Sequence, residues 1–142
     1  MIPLMAYFLA VVVLGILVWQ RGHEVHTWET RAGRTWLIAG LVLVGLHAVF
    51  HLVFAIGEMA GGDMSGAGHL GPVIAMVLLG WFAWRRPLEG GIVILALGLV
   101  VAAYFGLIGL IVTWTLPAAG VLLIMGTIQA RKETTHGASH GR

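Results

Sequence analysis

Long apolar stretches dominate the chain, and short polar segments separate them. The first three are free of Asp, Glu, Lys and Arg and run over Ile2–Trp19, Thr35–Gly57 and Leu70–Trp84. A helix that crosses a membrane needs about 20 mostly apolar residues. The pattern therefore predicts three membrane-spanning helices. The first has neither the basic start nor the cleavage site of a signal peptide, so it is interpreted as a span.

The last apolar stretch is too long for one crossing. It runs from Gly91 to Ala130 without an acidic or basic residue. About 40 residues of helix would measure about 60 Å, twice the thickness of the hydrocarbon core. We expect the chain to turn back near Trp114, because Trp favours the interface and Pro117 suits the start of a new helix. This predicts two further helices near Gly91–Val112 and Pro117–Ala130.

Charged residues alternate in sign between the apolar stretches. Arginines follow the first and third stretches, and Arg131 and Lys132 follow the last one. The segment Glu58–His69 contains Glu58 and Asp63 but no Lys or Arg. Cytoplasmic loops of membrane proteins are enriched in Lys and Arg. The alternation predicts five spans with the N-terminus outside and the C-terminus in the cytoplasm.

The composition agrees with an all-α integral membrane protein, a bundle of five transmembrane helices. Of its 142 residues 59% are hydrophobic and 10% are charged, whereas soluble domains carry about 25% charged residues. We expect one transmembrane domain over residues 1–131 and a disordered cytoplasmic tail over 132–142. The absence of Cys excludes disulfides and thiolate-bound clusters. Nucleic acid is not an expected partner, because no basic patch is interleaved with aromatic residues.

Glycines are frequent in the last two predicted spans. Gly91 and Gly98 are seven residues apart, which is two helical turns, and Gly120 and Gly126 follow in the next span. Small residues let transmembrane helices approach closely. The spacing favours close antiparallel packing of spans four and five, with an interface to a partner protein as the alternative.

A polar stripe lies within the second apolar stretch and consists of His47, His51 and Glu58. Each helical residue advances by about 100°, which places His51 roughly 40° and Glu58 roughly 20° from His47. Polar groups in a lipid-like segment cost free energy unless something binds them. The stripe leads toward the predicted outer loop, which also contains Asp63 and His69. We therefore interpret the stripe and the loop as the candidate site.

Several ligands suit these residue types. Two histidines four residues apart can bind one metal ion from the same side. A zinc or copper ion could be bound by three histidines, His47, His51 and His69, with Glu58 or Asp63 as a supporting carboxylate. Met59 and Met64 would favour Cu(I), because thioethers are soft ligands. Haem needs axial ligands on opposite faces of its ring. One ligand would be a histidine of the stripe, and the other would be His69 or a residue of a partner chain.

Two other interpretations of the stripe remain open. A quinone would fit an apolar slot lined by Phe50 and Phe54. His47 and His51 lie beside this slot and could exchange protons with the quinone. Alternatively, the histidines are structural and donate hydrogen bonds to a neighbouring helix. Outside the stripe, the C-terminal His136 and His140 lie in a polar, Gly-containing segment, where metal binding would be adventitious.

The sequence supports three functions. The first is an accessory or binding subunit of a larger membrane complex, without catalytic activity of its own, because no catalytic motif and no soluble domain occur. The second is a redox protein that binds a metal, haem or quinone. The third is a homo-oligomeric transporter or channel. Expected partners are membrane lipids and other membrane subunits or further copies of this chain. The preference for Arg over Lys favours a bacterial inner (plasma) membrane.

Overall fold

The computed structural model describes residues 30–139, which form four α-helices and one 3₁₀ helix. The α-helices are α1 (Arg31–Ala60), α2 (Leu70–Arg85), α3 (Pro87–Thr113) and α4 (Thr115–Ser139). The 3₁₀ helix, Met64–His69, joins α1 to α2. No β-strand occurs within residues 30–139, in agreement with the predicted all-α class. The predicted first span, Ile2–Trp19, lies outside the described residues.

Three stretches of the described chain are long and apolar enough to cross a membrane. They are Arg31–Ala60, Met64–Arg85 and Pro87–Gly106. The protein is therefore a small polytopic membrane protein. Helix α4 is not among these stretches, so the count of five spans and the orientation with the N-terminus outside stay predictions.

The helix boundaries lie within about four residues of the predicted ones, except at the end of α4. Helix α1 begins before Thr35, because the Thr30 side chain caps it by accepting the Gly33 N–H at 3.2 Å. At the other end of the chain α4 continues to Ser139. The tail predicted to be disordered over 132–142 is therefore helical as far as Ser139. Arginine and lysine are good helix formers, and nothing requires a helix to end where its apolar stretch ends. The helix is interrupted at Trp114 as predicted, but the chain turns back earlier, at Gly106, whose φ of 66° and ψ of −151° are not helical. This earlier turn places Gly98 against Pro117.

Helices α3 and α4 pack with their backbones in close contact. A Cβ atom on Gly120 would lie 2.6 Å from the Leu95 nitrogen and 2.7 Å from the Gly91 oxygen. A Cβ atom on Gly98 would lie 2.7 Å from the Pro117 nitrogen. These contacts confirm the predicted antiparallel packing of spans four and five, since only glycine permits such an approach.

Helix α4 also lies antiparallel to α1. Gly126, predicted to serve the contact with α3, instead faces the Gly33 oxygen of α1, and Gly40 faces Leu123 of α4. The buried core where α1, α3 and α4 meet includes Leu37, Ile94, Leu116 and Leu123. The antiparallel order brings the basic ends of α1, α2 and α4 to one end of the bundle. Glu58, Asp63 and the 3₁₀ helix lie at the other end.

Candidate functional site

The 3₁₀ helix lies directly on the last turns of α1. A Cβ atom on its buried Gly66 would be 2.7 Å from the Ala55 oxygen and 2.9 Å from the Glu58 Cβ. Asp63 caps the segment by accepting the Ser65 N–H at 2.8 Å. The pKa of Asp63 is lowered chiefly by this backbone hydrogen bond. The short, capped segment carries His69 onto the polar stripe of α1.

His51, His69, Glu58 and Ser65 form a continuous polar chain, which we call the histidine–glutamate network. The Nδ1 atoms of His51 and His69 lie 3.3 Å apart. On the far side of its ring, the His69 Nε2 lies 3.5 Å from the Glu58 Oε1. The Ser65 hydroxyl donates to the Glu58 Oε2 at 3.3 Å. The network thus connects α1 to the 3₁₀ helix through side chains.

Glu58 favours one tautomer of His69. A carboxylate has only acceptors, so the His69 Nε2 facing it is the ring nitrogen that carries the proton. The Nδ1 of His69 then carries the lone pair and accepts a hydrogen bond from the His51 Nδ1–H, 3.3 Å away.

Two phenylalanines flank the network. The ring centroids of Phe50 and His51 are 5.8 Å apart, and those of Phe54 and His69 are also 5.8 Å apart. Phe50 and Phe54 contact each other but are 43% and 45% exposed. The predicted quinone slot is therefore an open surface on this part of the chain. A shallow groove of about 320 Å³ lies beside it, lined by Val53, Phe54, Gly57 and Glu58.

His47 is directed toward a different partner. It is 6% exposed, and its Nδ1 lies 3.1 Å from the Thr115 Oγ1, at the start of α4. Its ring meets the ring of His51 edge-on, with centroids 5.0 Å apart. This is the interhelical hydrogen bond that the structural interpretation of the stripe predicts. The sequence did not point to Thr115 as a partner of His47, although it is one of few polar residues in the last apolar stretch.

The predicted metal-binding set is assembled only in part. Among the side chains that the structure describes, which belong to residues 30–106 and 114–135, no three from His, Asp and Glu converge so that they could hold one metal ion. His51 and His69 face each other, whereas Glu58 lies behind His69 and Asp63 accepts from Ser65. A haem with His51 and His69 as its two axial ligands does not fit, because nitrogens in contact leave no room for a porphyrin between them.

Ser65 and Gly66 are parts of the site that the sequence analysis did not identify. The spacing of Asp63 and Ser65 is a usable signal, because an Asp side chain commonly accepts the N–H of the residue two positions later. No protein-family model, curated protein or solved structure matches this chain. The geometry of the histidine–glutamate network is therefore the observation on which a functional assignment depends.

Proposed function

We propose that this membrane protein binds a transition-metal ion through the Nδ1 atoms of His51 and His69. The observation that carries the proposal is the 3.3 Å separation of these two nitrogens. Imidazole nitrogens bind zinc at about 2.0–2.1 Å with tetrahedral angles, which puts two neighbouring ligand nitrogens about 3.3–3.4 Å apart. The pair has this spacing, but in the metal-free chain the two atoms share a hydrogen bond and face each other directly, with ring centroids 5.6 Å apart, so both rings must turn to bind one zinc ion.

The environment of His69 supports the same proposal. A histidine that binds a metal nearly always donates its other ring N–H to a carboxylate, a carbonyl or water. His69 approaches this arrangement, because its Nε2 lies 3.5 Å from the Glu58 Oε1, slightly beyond the usual length of such a hydrogen bond. Ser65 in turn donates to the second oxygen of Glu58. Glu58 and Ser65 are accordingly positioning residues in this proposal, and they are not metal ligands.

Zinc and copper are the metals that best suit an imidazole pair. With two protein ligands an ion keeps other coordination positions free for further ligands. A site of this kind fits a binding or redox role better than a purely structural one. It is the second of the three functions that the sequence supports, located at the end of α1.

Zinc binding to the purified full-length chain tests the proposal. The chain is prepared in detergent with a tag that lacks histidine, and zinc affinity is measured by calorimetry with thermal unfolding as a check of folding. We expect His51→Ala/His69→Ala to weaken the tightest zinc site at least about 100-fold. The matched control, His136→Ala/His140→Ala, removes the same number of imidazoles and should leave that site intact. Absence of a tight site in the wild-type chain, or equal loss in both variants, would contradict the proposal.

Glu58→Gln is expected to weaken zinc binding on the order of 10–100-fold, the usual effect of changing a carboxylate behind a ligand histidine. The amide can donate to the His69 Nε2, which shifts the ring proton to Nδ1 and blocks the ligand atom. Calorimetry measures the affinity, and ¹⁵N NMR of the metal-free chain reports the tautomer. Glu89→Gln, in the first turn of α3, is the matched control. An affinity that is the same for both variants would exclude a positioning role for Glu58.

We further propose that the metal site serves a larger assembly in a bacterial inner membrane, with this chain as an accessory subunit. Within residues 30–139 the helices are joined only by Gly61–Asp63, Arg86 and Trp114, so little of the described chain extends beyond the bundle. Extraction in mild detergent followed by native mass spectrometry tests this role, with other membrane subunits expected to accompany the chain. A lone monomer would contradict it. The transporter function stays a prediction that no contact among the described residues supports.

A further inference from the structure

We infer that the Nδ1 atoms of His51 and His69 bind a soft monovalent cation, Cu(I), between them in a linear two-coordinate site. The inference rests on the proposed metal-binding function and names the ion that the site prefers over zinc. The direction in which the two ring nitrogens point is the feature that carries it.

The two ring nitrogens point directly at each other. The nitrogens are 3.3 Å apart and the ring centroids are 5.6 Å apart. The second distance exceeds the first by about twice the distance from the centre of an imidazole ring to one of its atoms. Both nitrogens therefore lie on the line that joins the ring centres. An ion on this line has its two ligands on opposite sides, which is the arrangement that two-coordinate Cu(I) prefers and that tetrahedral zinc does not.

A metal ion can take the place of the proton that lies between the two histidines. In the metal-free chain the His51 Nδ1–H donates to the His69 Nδ1. When the ion enters, this proton moves to the His51 Nε2, and both Nδ1 atoms become ligands. Metal–imidazole bonds of about 2.0 Å put the two nitrogens about 4 Å apart, so the rings separate by roughly 0.7 Å and need not turn.

The number of ligands and the charge at the pair also match Cu(I). Among the side chains that the structure describes, no third His, Asp or Glu converges with the pair to hold one ion. The Glu58 carboxylate lies 3.5 Å from the His69 Nε2. An uncompensated charge near the hydrocarbon core costs free energy. One carboxylate neutralises a monovalent ion, whereas zinc would keep a net positive charge.

The groups around the pair are apolar or soft. The rings of Phe50 and Phe54 lie 5.8 Å from those of His51 and His69, respectively, and cover one side of the pair with apolar surface. Met64 begins the 3₁₀ helix that carries His69, and it is 75% exposed. Thioethers are soft ligands that select Cu(I). The segment that holds one ligand thus also presents a thioether to an arriving Cu(I) ion.

Competition between Cu(I) and zinc, followed by X-ray absorption at the copper edge, tests the inference. The full-length chain in detergent, carrying His136→Ala/His140→Ala, is loaded with zinc and then receives one equivalent of Cu(I) under anaerobic, reducing conditions. We expect release of most of the bound zinc, and a copper spectrum with two nitrogen neighbours and the intense pre-edge feature of linear Cu(I). His69→Ala should lose this feature. Met64→Leu, the matched control in the same 3₁₀ helix, should keep it.

Each outcome bears on a different statement. Zinc that stays bound at His51 and His69 in the presence of Cu(I) would overturn the inference and leave the proposed metal-binding function standing. A copper shell with three or four ligands, with sulfur, or unchanged in His69→Ala would also overturn it. Failure of both ions to bind at the pair would overturn the inference and the proposed function together. Release of zinc with a linear copper spectrum that His69→Ala abolishes supports the inference.

Discussion

Gly120→Ala is expected to lower the free energy of unfolding by about 1–3 kcal/mol, the usual effect of overpacking a close contact. The new Cβ would lie 2.6 Å from the Leu95 nitrogen and 2.7 Å from the Gly91 oxygen. Both are backbone atoms, so rotation of a side chain cannot relieve the clash, and α3 and α4 must separate. Reversible unfolding in mixed detergent and dodecyl sulfate micelles measures the change.

Gly45→Ala is the matched control for this prediction. Gly45 lies in α1, where a Cβ atom would meet nothing within 4 Å. Alanine also has a higher helix propensity than glycine, so we expect the stability to stay the same or to rise slightly. Equal destabilisation by both substitutions would show that the contact between α3 and α4 is looser than described.

Gly66→Ala is expected to abolish most metal binding without removing any ligand. Its Cβ would lie 2.7 Å from the Ala55 oxygen, a backbone atom of α1. The 3₁₀ helix must then move away from α1, which separates His69 from His51. Zinc affinity should fall at least as far as it does when a positioning residue is changed, on the order of 10–100-fold, while circular dichroism of the helices stays the same.

Gly68→Ala lies in the same 3₁₀ helix and serves as the control. A Cβ atom there meets nothing within 4 Å, so the segment can stay on α1 and zinc affinity should match the wild type. If Gly66→Ala bound zinc as tightly as Gly68→Ala, the docking of the 3₁₀ helix would not determine the site.

Much of the fold follows from the sequence because lipid restricts the available structures. Backbone groups in a membrane must be paired within the helix, so apolar length predicts α1, α2 and most of α3. The limited thickness of the bilayer required a turn within the last apolar stretch, but the sequence placed it at Trp114, whereas the chain turns back at Gly106. The end of α4 could not be predicted in this way, because a helix can continue into a polar segment once its apolar stretch is over. Helical Thr134, whose hydroxyl donates to the Arg131 oxygen at 2.8 Å, illustrates this.

The candidate site could be predicted only in part. Helical spacing put His51 and Glu58 on one face, but it could not decide which residues of the loop would reach them. That selection depends on Gly66, whose missing side chain lets the 3₁₀ helix lie against α1. The partner of His47 could not be predicted either, because Thr115 lies 68 residues away in the sequence. Neither contact has a signature in the local pattern of the chain.

X-ray absorption at the zinc edge tests the central claim most directly. The zinc-loaded full-length chain, with His136 and His140 replaced by alanine, is compared with the same chain carrying His51→Ala/His69→Ala. We predict imidazole nitrogens at about 2.0–2.1 Å around the ion, with the multiple-scattering pattern of histidine rings, in the first sample only. A spectrum with oxygen ligands alone, or one unchanged by the loss of His51 and His69, would contradict the account.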